Sequence, residues 1–395
     1  MLTNRQLFLL HLGQTSPAPL MLEIEKAEGV FLFGPKGEKY LDLVSGVSVS
    51  NTGHRHPQVV EAVRKQTDSY LHLMVYGEMI QSPQVKYAEK LSSILPSQLG
   101  SIYFVNSGSE AVEGALKLAK RFTGRSHILY FSNAYHGSTH GALSIQGSEK
   151  YRNAFRPLVP GTYQLNFNDF NSLDAIDDHT ACVIAEPIQA EAGVILPNPG
   201  FLELMRERCN RHGALLIFDE SQTGFGRTGK MFAIDKYGVV PDILVLSKAL
   251  GGGMPLGAFI SSQDIMSSLI SNPQLGHITT FGGHPVCCAA GLASLNVIIE
   301  EELAESCTPK SGLFKKELDH PAIKSIRGEG LLLAVQLKSK EQVSKVVAKA
   351  PESGLILDYF LFCNDAFRIA PPLVISNIEI KYACKQLLSL LDSTL

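Results

Sequence analysis

Lys248 occupies a position where a lysine could act as a nucleophile. It follows the apolar run Ile243–Leu246 and Ser247, and it shortly precedes three consecutive glycines at residues 251–253. An amine at the mouth of a buried strand is partly desolvated, which lowers its pKa and lets it form a Schiff base with an aldehyde coenzyme. An isolated strand-end lysine is more often solvated, so the neighbouring motifs must decide between these interpretations.

Asp219 follows another apolar run, residues 214–218. A carboxylate is costly there unless a positive group pairs with it. A protonated pyridine nitrogen would be such a partner, and the pairing would let the ring accept electrons from a substrate carbanion. The alternative is an aspartate that caps the following turn.

Ser107, Gly108 and Ser109 connect a predicted strand to a predicted amphipathic helix. Their N–H groups and hydroxyls could bind an anion such as a phosphate at the positive end of the helix. Ser107 and Glu110 also match the capping-box pattern S-x-x-E. The two roles are compatible.

Tyr135 and His136 precede Gly137 in a predicted loop. The pair could supply a flat ring that stacks on a heteroaromatic coenzyme, or it could simply pack within the loop. His136 and His140 are four residues apart, but the glycine and the polar residues between them argue against a helix. We therefore predict no metal site there.

Residues 224–229, GFGRTG, match the dinucleotide-binding pattern G-x-G-x-x-G. That fingerprint requires a helix that begins at the glycines and an acidic residue about 20 positions later. The chain leads instead into Tyr237-Gly238 and Pro241. We interpret the run as a glycine-rich turn.

The elements that must position these residues follow from the alternation of short apolar runs with helical patterns. Strands buried on both faces are predicted at residues 102–105, 127–131, 181–185, 214–218 and 243–246. Helical patterns follow His56-Pro57, Ser107 and Pro199-Gly200. This α/β alternation predicts a mostly parallel sheet whose ligands bind beyond the carboxyl ends of the strands. Chemically active residues follow these ends: 106–109, 135–137, Glu186, Asp219 and Lys248.

The alternation stops near residue 285. A helix is predicted at residues 286–302, strands at 331–337 and 355–357, and a last helix at 378–391, which together suggest a smaller α+β domain. We therefore divide the chain into three parts. An N-terminal segment (1–45) joins the small domain, a large domain spans 46–284, and the small C-terminal domain spans 285–395.

The composition favours a globular protein that acts on small molecules. Of 395 residues, 45% are hydrophobic and 18% charged, enough for two or three domains. The net charge of -3 gives no basic surface for nucleic acid or an anionic membrane, and no run reaches the ~18 apolar residues of a membrane span. Seven cysteines without a C-x-x-C pair suggest a reducing compartment, so we expect a cytoplasmic protein.

Several spaced motifs resemble those of the class-III pyridoxal-phosphate aminotransferases, the family of ornithine, acetylornithine and other ω-amino-acid transaminases. The central motif covers residues 217–229, with Asp219 and Gln222, and continues at 241–243 and 247–253. Further matches occur at residues 45–46, 53–57, 107–111, 135–137, 186–189, 279–283, 368 and 371–373.

The resemblance implies a fold-type I homodimer that binds pyridoxal 5'-phosphate near the subunit interface. Lys248 would form the Schiff base and move protons, and Asp219 would pair with the pyridinium nitrogen. The other implied coenzyme contacts are Ser107, Gly108 and Ser109 at the phosphate, Tyr135 stacked on the ring, His136 and Glu186 beside it, Gln222 at the phenolic oxygen, and Thr280 at the phosphate from the partner subunit.

The resemblance also implies substrate contacts. Arg368 resembles the family arginine that binds a substrate carboxylate in a bidentate manner. Glu191 resembles the glutamate that pairs with this arginine and yields it when a dicarboxylate binds, and Thr279 is a further candidate contact. Ornithine and acetylornithine enzymes carry an arginine where this chain has Ser138. Residue 152 or 156, both arginine, could replace it or could lie on the surface.

We therefore expect amino transfer from an amine or ω-amino acid to a 2-oxo acid, with 2-oxoglutarate as the usual acceptor of the family. An aminomutase, a decarboxylating transaminase or an epimerase of the same fold is an alternative. A non-catalytic regulatory protein that retains the fold is another.

Overall fold

The computed structural model describes residues 2–394. The strands in this part of the chain are β1 (Lys26–Glu28), β2 (Phe31–Phe33), β3 (Lys39–Asp42), β4 (Ser101–Val105), β5 (His127–Phe131), β6 (Thr162–Leu165), β7 (Thr180–Ala185), β8 (Leu215–Asp219), β9 (Ile243–Leu246), β10 (Gly257–Ser261), β11 (Ser325–Glu329), β12 (Leu332–Gln336), β13 (Leu355–Ile356), β14 (Asp358–Tyr359) and β15 (Ala366–Ile369). The helices are α1 (Asn4–His11), α2 (Ser45–Ser48), α3 (Pro57–Ser69), α4 (Ser82–Ile94), α5 (Gly108–Thr123), α6 (His140–Ser144), α7 (Glu149–Arg152), α8 (Phe201–His212), α9 (Ala233–Tyr237), α10 (Gln263–Ser267), α11 (Pro285–Glu300), α12 (Leu303–Glu317), α13 (Lys340–Lys349) and α14 (Asn377–Thr394).

The central sheet has seven strands in the order β4-β10-β9-β8-β7-β5-β6. Only β10 runs antiparallel to its neighbours, so the mostly parallel sheet is confirmed. Strands β7, β8, β9 and β10 are buried along their whole length, because apolar clusters pack on both faces of the sheet. This double burial explains their continuous apolar sequences.

The five predicted strands correspond to β4, β5, β7, β8 and β9, with ends that differ by at most one residue. Strands β6 and β10 were not predicted. The edge strand β6 has the half-polar sequence TYQL, and β10 begins with a glycine after a glycine-rich loop. Neither has the sustained apolar run that marks the other five.

Helix α5 begins directly after Ser107, which caps its N-terminus. The Ser107 hydroxyl accepts a hydrogen bond from the N–H of Glu110 at 3.2 Å, which satisfies one free donor of the first turn. The Glu110 carboxylate accepts from the N–H of Asn106 at 2.8 Å, one residue before the position that the capping box predicts. Gly124, with φ +68°, ends the helix in the left-handed conformation that glycine adopts readily.

Two four-stranded sheets complete the fold. One has the order β1-β2-β3-β13, in which β13 runs parallel to β3, and the other has the order β11-β12-β15-β14. The N-terminal strands therefore share a sheet with a strand from the C-terminal part, which supports the prediction that the two ends associate. The division at residues 45 and 285 stays a prediction, since α11 packs on α3 and α4 of the predicted large domain.

The C-terminal predictions match α11, β12, β13 and α14. Helix α12 was missed because Pro309 and Gly312 interrupt its pattern, and prolines usually end helices. Residues 224–229 form turns, and the next helix begins only at Ala233, so the interpretation as a glycine-rich turn is confirmed. Within residues 2–394 no helix combines the length and apolarity needed to cross a bilayer.

Candidate active site

A cavity of about 530 Å³ opens at the carboxyl ends of β4, β8 and β9. Its wall contains the predicted strand-end residues except Glu186, together with a loop after the lysine. The lining residues are Val49, Asn106, Ser107, Gly108, Ser109, Tyr135, His136, Gly137, Asp219, Ser221, Ser247, Lys248, Gly253, Met254, Pro255 and Leu256. The parallel sheet thus brings together residues that lie up to about 140 positions apart in the sequence, as expected for strand ends.

Lys248 follows β9 after the single residue Ser247 and begins a turn of 3-10 helix, Lys248–Gly251. Its φ of +52° is uncommon for a residue with a side chain, and such strained positions cluster at functional sites. Burial lowers the pKa of the Lys248 amine, although the carboxylates of Asp219, Glu191 and Glu186 oppose this effect. The lowered pKa increases the fraction of neutral, nucleophilic amine.

Asp219 pairs with His136 at the base of the cavity. Oδ2 of Asp219 lies 2.8 Å from Nδ1 of His136, and Oδ1 accepts a hydrogen bond from the N–H of Ser221 at 3.0 Å. Burial alone would raise the pKa of Asp219, but the bond from His136 and the positive charge of Lys248 hold it below its ordinary value. The buried carboxylate therefore stays ionised and can pair with a cation.

Glu186 lies behind the cavity wall and does not line it. Its carboxylate accepts hydrogen bonds from the backbone N–H groups of Tyr135 at 3.1 Å and Ala190 at 3.0 Å. Burial raises the pKa of Glu186 to about 7. The contacts place Glu186 as a support for the Tyr135 loop, while a direct coenzyme contact stays a prediction.

Two glycines let the backbone at the start of α5 pack closely against the residues around the cavity. A Cβ on Gly108 would lie 2.6 Å from Oγ of Ser247, and one on Gly137 would lie 2.1 Å from Oγ of Ser109. Gly137 also has a φ of +128°, which L side chains rarely adopt. Free N–H groups at the start of this 16-residue helix face the cavity with the positive end of the helix dipole.

Arg368, Glu191 and Gln222 form a closed set of buried polar groups. Nη2 of Arg368 donates to Oε1 of Glu191 at 2.8 Å, and Nη1 donates to Oε1 of Gln222 at 2.9 Å. The Gln222 amide donates in turn to Glu191 at 2.8 Å. Both ends of the Gln222 side chain are thus engaged with the predicted substrate residues, and its contact with a coenzyme oxygen stays a prediction.

The remaining candidates lie away from the cavity. Arg152 and Arg156 both pair with Glu149, and neither lines the cavity. The Thr279 hydroxyl accepts a hydrogen bond from the Asn106 amide at 3.0 Å. Thr280 is exposed, and a role toward a partner subunit stays a prediction.

Sequence reasoning found Asn106 and Ser247 among the residues that follow strands, but it missed other residues of the wall, such as Val49 and Ser221. Residues 253–256 line the cavity from the loop between the lysine turn and β10, and nothing in their sequence indicates this. Near His136, His140 bonds to the carbonyl of Pro157 at 2.8 Å, so the two histidines have different partners.

The donor set fits pyridoxal 5'-phosphate. The aldehyde of that coenzyme requires an amine, its pyridine nitrogen a carboxylate, and its phosphate a group of N–H and hydroxyl donors. Lys248, Asp219 and the Ser107–Ser109 loop supply these three groups around one cavity. The glycines at positions 108 and 137 leave the space that side chains would fill.

The fold and the site define a protein of the pyridoxal-phosphate-dependent transferase class. The family model for class-III aminotransferases matches residues 13–391. The chain belongs to the class-III aminotransferases and is a pyridoxal-phosphate-dependent transaminase, as the sequence motifs indicated.

Three relatives illustrate the similarity. An acetylornithine aminotransferase of Methanopyrus kandleri is 39% identical over 382 residues, which cover 95% of each chain. Ornithine aminotransferase 2 of Staphylococcus saprophyticus is 35% identical over 400 residues, which cover 97% of each chain. A solved ornithine aminotransferase from Toxoplasma gondii, with partial occupancy of pyridoxal phosphate, superposes with a TM-score of 0.91 at 31% identity and covers 98% of this chain and 93% of its own. The predicted fold-type I architecture is confirmed.

Proposed function

We propose that Lys248 is the centre at which this transaminase moves an amino group from an ω-amino acid to a 2-oxo acid. The observation that carries the proposal is the cavity in which the Lys248 amine, the ionised Asp219 and the start of α5 meet. The similarity to ornithine and acetylornithine aminotransferases supports donors of this kind.

Pyridoxal phosphate, when bound, supplies an electron-accepting ring that stabilises negative charge on the substrate carbon. Lys248, with its lowered pKa, serves as the amine that holds the coenzyme and then as the base that moves a proton at its Nζ atom. Asp219 would keep the ring nitrogen protonated, because its carboxylate is ionised at neutral pH. His136 fixes that carboxylate through a hydrogen bond, and Tyr135, which lines the cavity, would stack on the ring.

The substrate carboxylate binds Arg368 in this proposal. Arg368 is buried and already paired with Glu191, so a carboxylate must displace Glu191 to reach the guanidinium. The N–H of Leu361 and the Gln222 amide hold Glu191 in its present place. A donor that places no carboxylate at Arg368 leaves the Arg368–Glu191 ion pair intact, whereas a 2-oxo acid displaces Glu191 from it.

A homodimer is the proposed assembly. Ile278 and Phe281, which flank Thr280, are 48% and 53% exposed, and Ile80 is 97% exposed. Exposed apolar groups of this size mark interaction surfaces, and a two-fold dimer uses the same patch on both copies. Thr280 would then reach the phosphate of the partner subunit.

The cytoplasm is the proposed location. All seven cysteines are free, and six of them are buried. Unpaired thiols in the core agree with a reducing compartment, where disulfides are rare.

The test is a donor assay on the purified holoenzyme, with ornithine, acetylornithine, lysine and aminobutyrate as donors and 2-oxoglutarate as acceptor. We expect the visible absorption of the bound coenzyme to change with donor alone and to return when 2-oxoglutarate is added. Lys248→Ala should abolish both changes. Turnover of a donor without transfer to any 2-oxo acid would instead support an aminomutase or an epimerase.

A further inference from the structure

Five consecutive residues, 358–362, surround the Arg368 and Glu191 pair. The Asp358 carboxylate lies 3.3 Å from Nε of Arg368, and the Tyr359 carbonyl accepts from Nη2 at 3.3 Å. The ring of Phe360 lies against the guanidinium at 4.8 Å. Leu361 and Phe362 form hydrogen bonds to Glu191. The N–H of Leu361 donates to its carboxylate at 3.1 Å, and the N–H of Phe362 donates to its backbone carbonyl at 3.1 Å.

Arg368 is held on a rigid part of the fold. It belongs to β15, an inner strand of its sheet, and lies opposite Ala334 on β12 and opposite Asp358 on β14. Its side chain is 1% exposed. Phe360, which covers the guanidinium face, is itself part of a small apolar cluster with residues that flank Glu191, such as Ala190 and Val194.

The contacts divide the guanidinium into two edges. The Asp358 carboxylate lies 3.3 Å from Nε without forming a hydrogen bond, whereas Glu191 and Gln222 accept hydrogen bonds from the terminal nitrogens Nη2 and Nη1. A carboxylate can bind both terminal nitrogens of a guanidinium at once. Binding at both terminal nitrogens therefore requires that Glu191 leave Nη2 and that Gln222 leave Nη1, while the Asp358 charge stays beside Nε.

Glu191 is attached to a less regular part of the chain. It lies between β7 and α8, in a turn that a single bridge between Gln189 and Ile195 closes. Rotation of the Glu191 side chain breaks no strand pairing, whereas a shift of the β15 backbone would break its pairing with β12 and with β14. Movement of Glu191 therefore disturbs less structure than movement of Arg368.

We propose that Asp358 and Phe360 are positioning residues that hold Arg368 fixed while Glu191 moves to admit a substrate carboxylate. This inference rests on the proposed role of Arg368 as the carboxylate-binding residue. The displacement of Glu191 already belongs to the proposed function; the inference adds that Asp358 and Phe360 keep the arginine in one orientation, so that the 2-oxo acid binds the terminal nitrogens. Neither Asp358 nor Phe360 is a catalytic residue in this scheme.

The charges that face Asp358 add a pH dependence. They are Arg368 on the adjacent strand, Glu191 on its loop, and Asp42 at the end of β3, which pairs with His54 at 2.8 Å. Burial raises the pKa of Asp358 to about 6 despite the nearby Arg368. Protonation at lower pH removes the negative charge that lies 3.3 Å from Nε. The KM for a 2-oxo acid should therefore rise as the pH falls through about 6.

The experiment uses the holoenzyme and Asp358→Asn, which preserves the shape of the side chain and removes its charge. We expect the KM for 2-oxoglutarate to rise about tenfold with kcat unchanged, and the pH dependence of this KM near 6 to disappear. The rate of the half-reaction with the ω-amino donor alone should not change. A role in folding alone would reduce both half-reactions together.

Asp365→Asn is the matched control, because Asp365 lies in the connection between β14 and β15 and bonds to Gln336 and Cys363 without touching Arg368. It should leave both KM and kcat unchanged. Phe360→Leu is a second variant that should raise the same KM. It provides the test if Asp358→Asn does not fold. An unchanged KM in a folded Asp358→Asn or Phe360→Leu variant overturns the inference.

Arg368→Gln separates this inference from the proposed function. If Arg368→Gln leaves the KM for 2-oxoglutarate unchanged, the proposed role of Arg368 fails and the inference fails with it. If Arg368→Gln raises that KM and a folded Asp358→Asn variant does not, the inference fails while the proposed role of Arg368 stands.

Discussion

The buried carboxylate of Asp219 lies 2.8 Å from Nδ1 of the buried His136. An ionised carboxylate can only accept a hydrogen bond, so Nδ1 carries the proton. This bond offsets the burial that would otherwise raise the pKa of Asp219. It links the loop after β5 to the end of β8, two elements that are 83 residues apart in the sequence.

His136→Leu should therefore weaken coenzyme binding and slow catalysis, because Asp219 would lose the donor that keeps it ionised. The loss of one hydrogen bond to a charged group corresponds to roughly tenfold or more in affinity and in kcat. Titration of the apoenzyme with pyridoxal phosphate and steady-state kinetics measure the two effects. His140→Gln, which changes a histidine outside the cavity, should retain both values; equal losses in the two variants would contradict the assigned role.

Gly137→Ala should disrupt the anion loop. The new Cβ would lie 2.1 Å from Oγ of Ser109, at a φ of +128°. Ser109 must then shift, and we expect the dissociation constant of pyridoxal phosphate to rise at least about tenfold. Gly124→Ala is the control, since it also has a positive φ of +68° but nothing within 4 Å of its Cβ. It should cost about 1 kcal/mol of stability and leave coenzyme affinity intact.

Glu220 should make stability depend on pH. Its carboxylate accepts hydrogen bonds from the N–H groups of Ala233 and Ile234 and from the Thr223 hydroxyl, yet burial raises its pKa to about 7. Because the folded pKa exceeds the unfolded value, the linked stabilisation is complete below about pH 4.5 and is lost as the pH rises through about 7.

Glu220→Gln has no such titration. Between pH values well below 4.5 and well above 7, the unfolding free energy of the variant should therefore change by about 3 kcal/mol less than that of the wild type. Urea unfolding at several pH values measures this difference, and the contribution of Glu186 cancels because both proteins retain it. Parallel stability curves for the two proteins would show that Glu220 does not titrate in this range.

Arg227→Met should reduce stability strongly. The Arg227 guanidinium is fully buried and donates to the carbonyls of Leu331 and Pro371 and to the side chains of Ser45 and Asn51. Its loss leaves buried acceptors unpaired, at a cost of about 3 kcal/mol or more. Denaturant unfolding provides the measurement.

Arg211→Met is the matched comparison for that variant. Arg211 is half-exposed and pairs with Glu207 one helical turn away, and such surface pairs contribute about 0.5 kcal/mol or less. A loss of similar size in the two variants would mean that the network around Arg227 contributes little.

The sequence alone determined the chemistry of this protein. Lys248, Asp219 and the Ser107–Ser109 loop each follow a sustained apolar run, and the carboxyl ends of parallel strands meet at one edge of a sheet. Local pattern and topology together were therefore enough to predict that these residues would gather at one cavity. The same argument identified most of the central sheet.

Only the tertiary structure decided the contacts that depend on pairing between distant segments. Asp358 lies opposite Arg368 because β14 pairs with β15 in one register, and neither two-residue β14 nor four-residue β15 has a pattern that predicts this. Gln222 bonds to Arg368 across 146 positions. The geometry of long-range pairing follows from the packing of the whole chain, so local sequence specifies which groups are present and the fold specifies which of them touch.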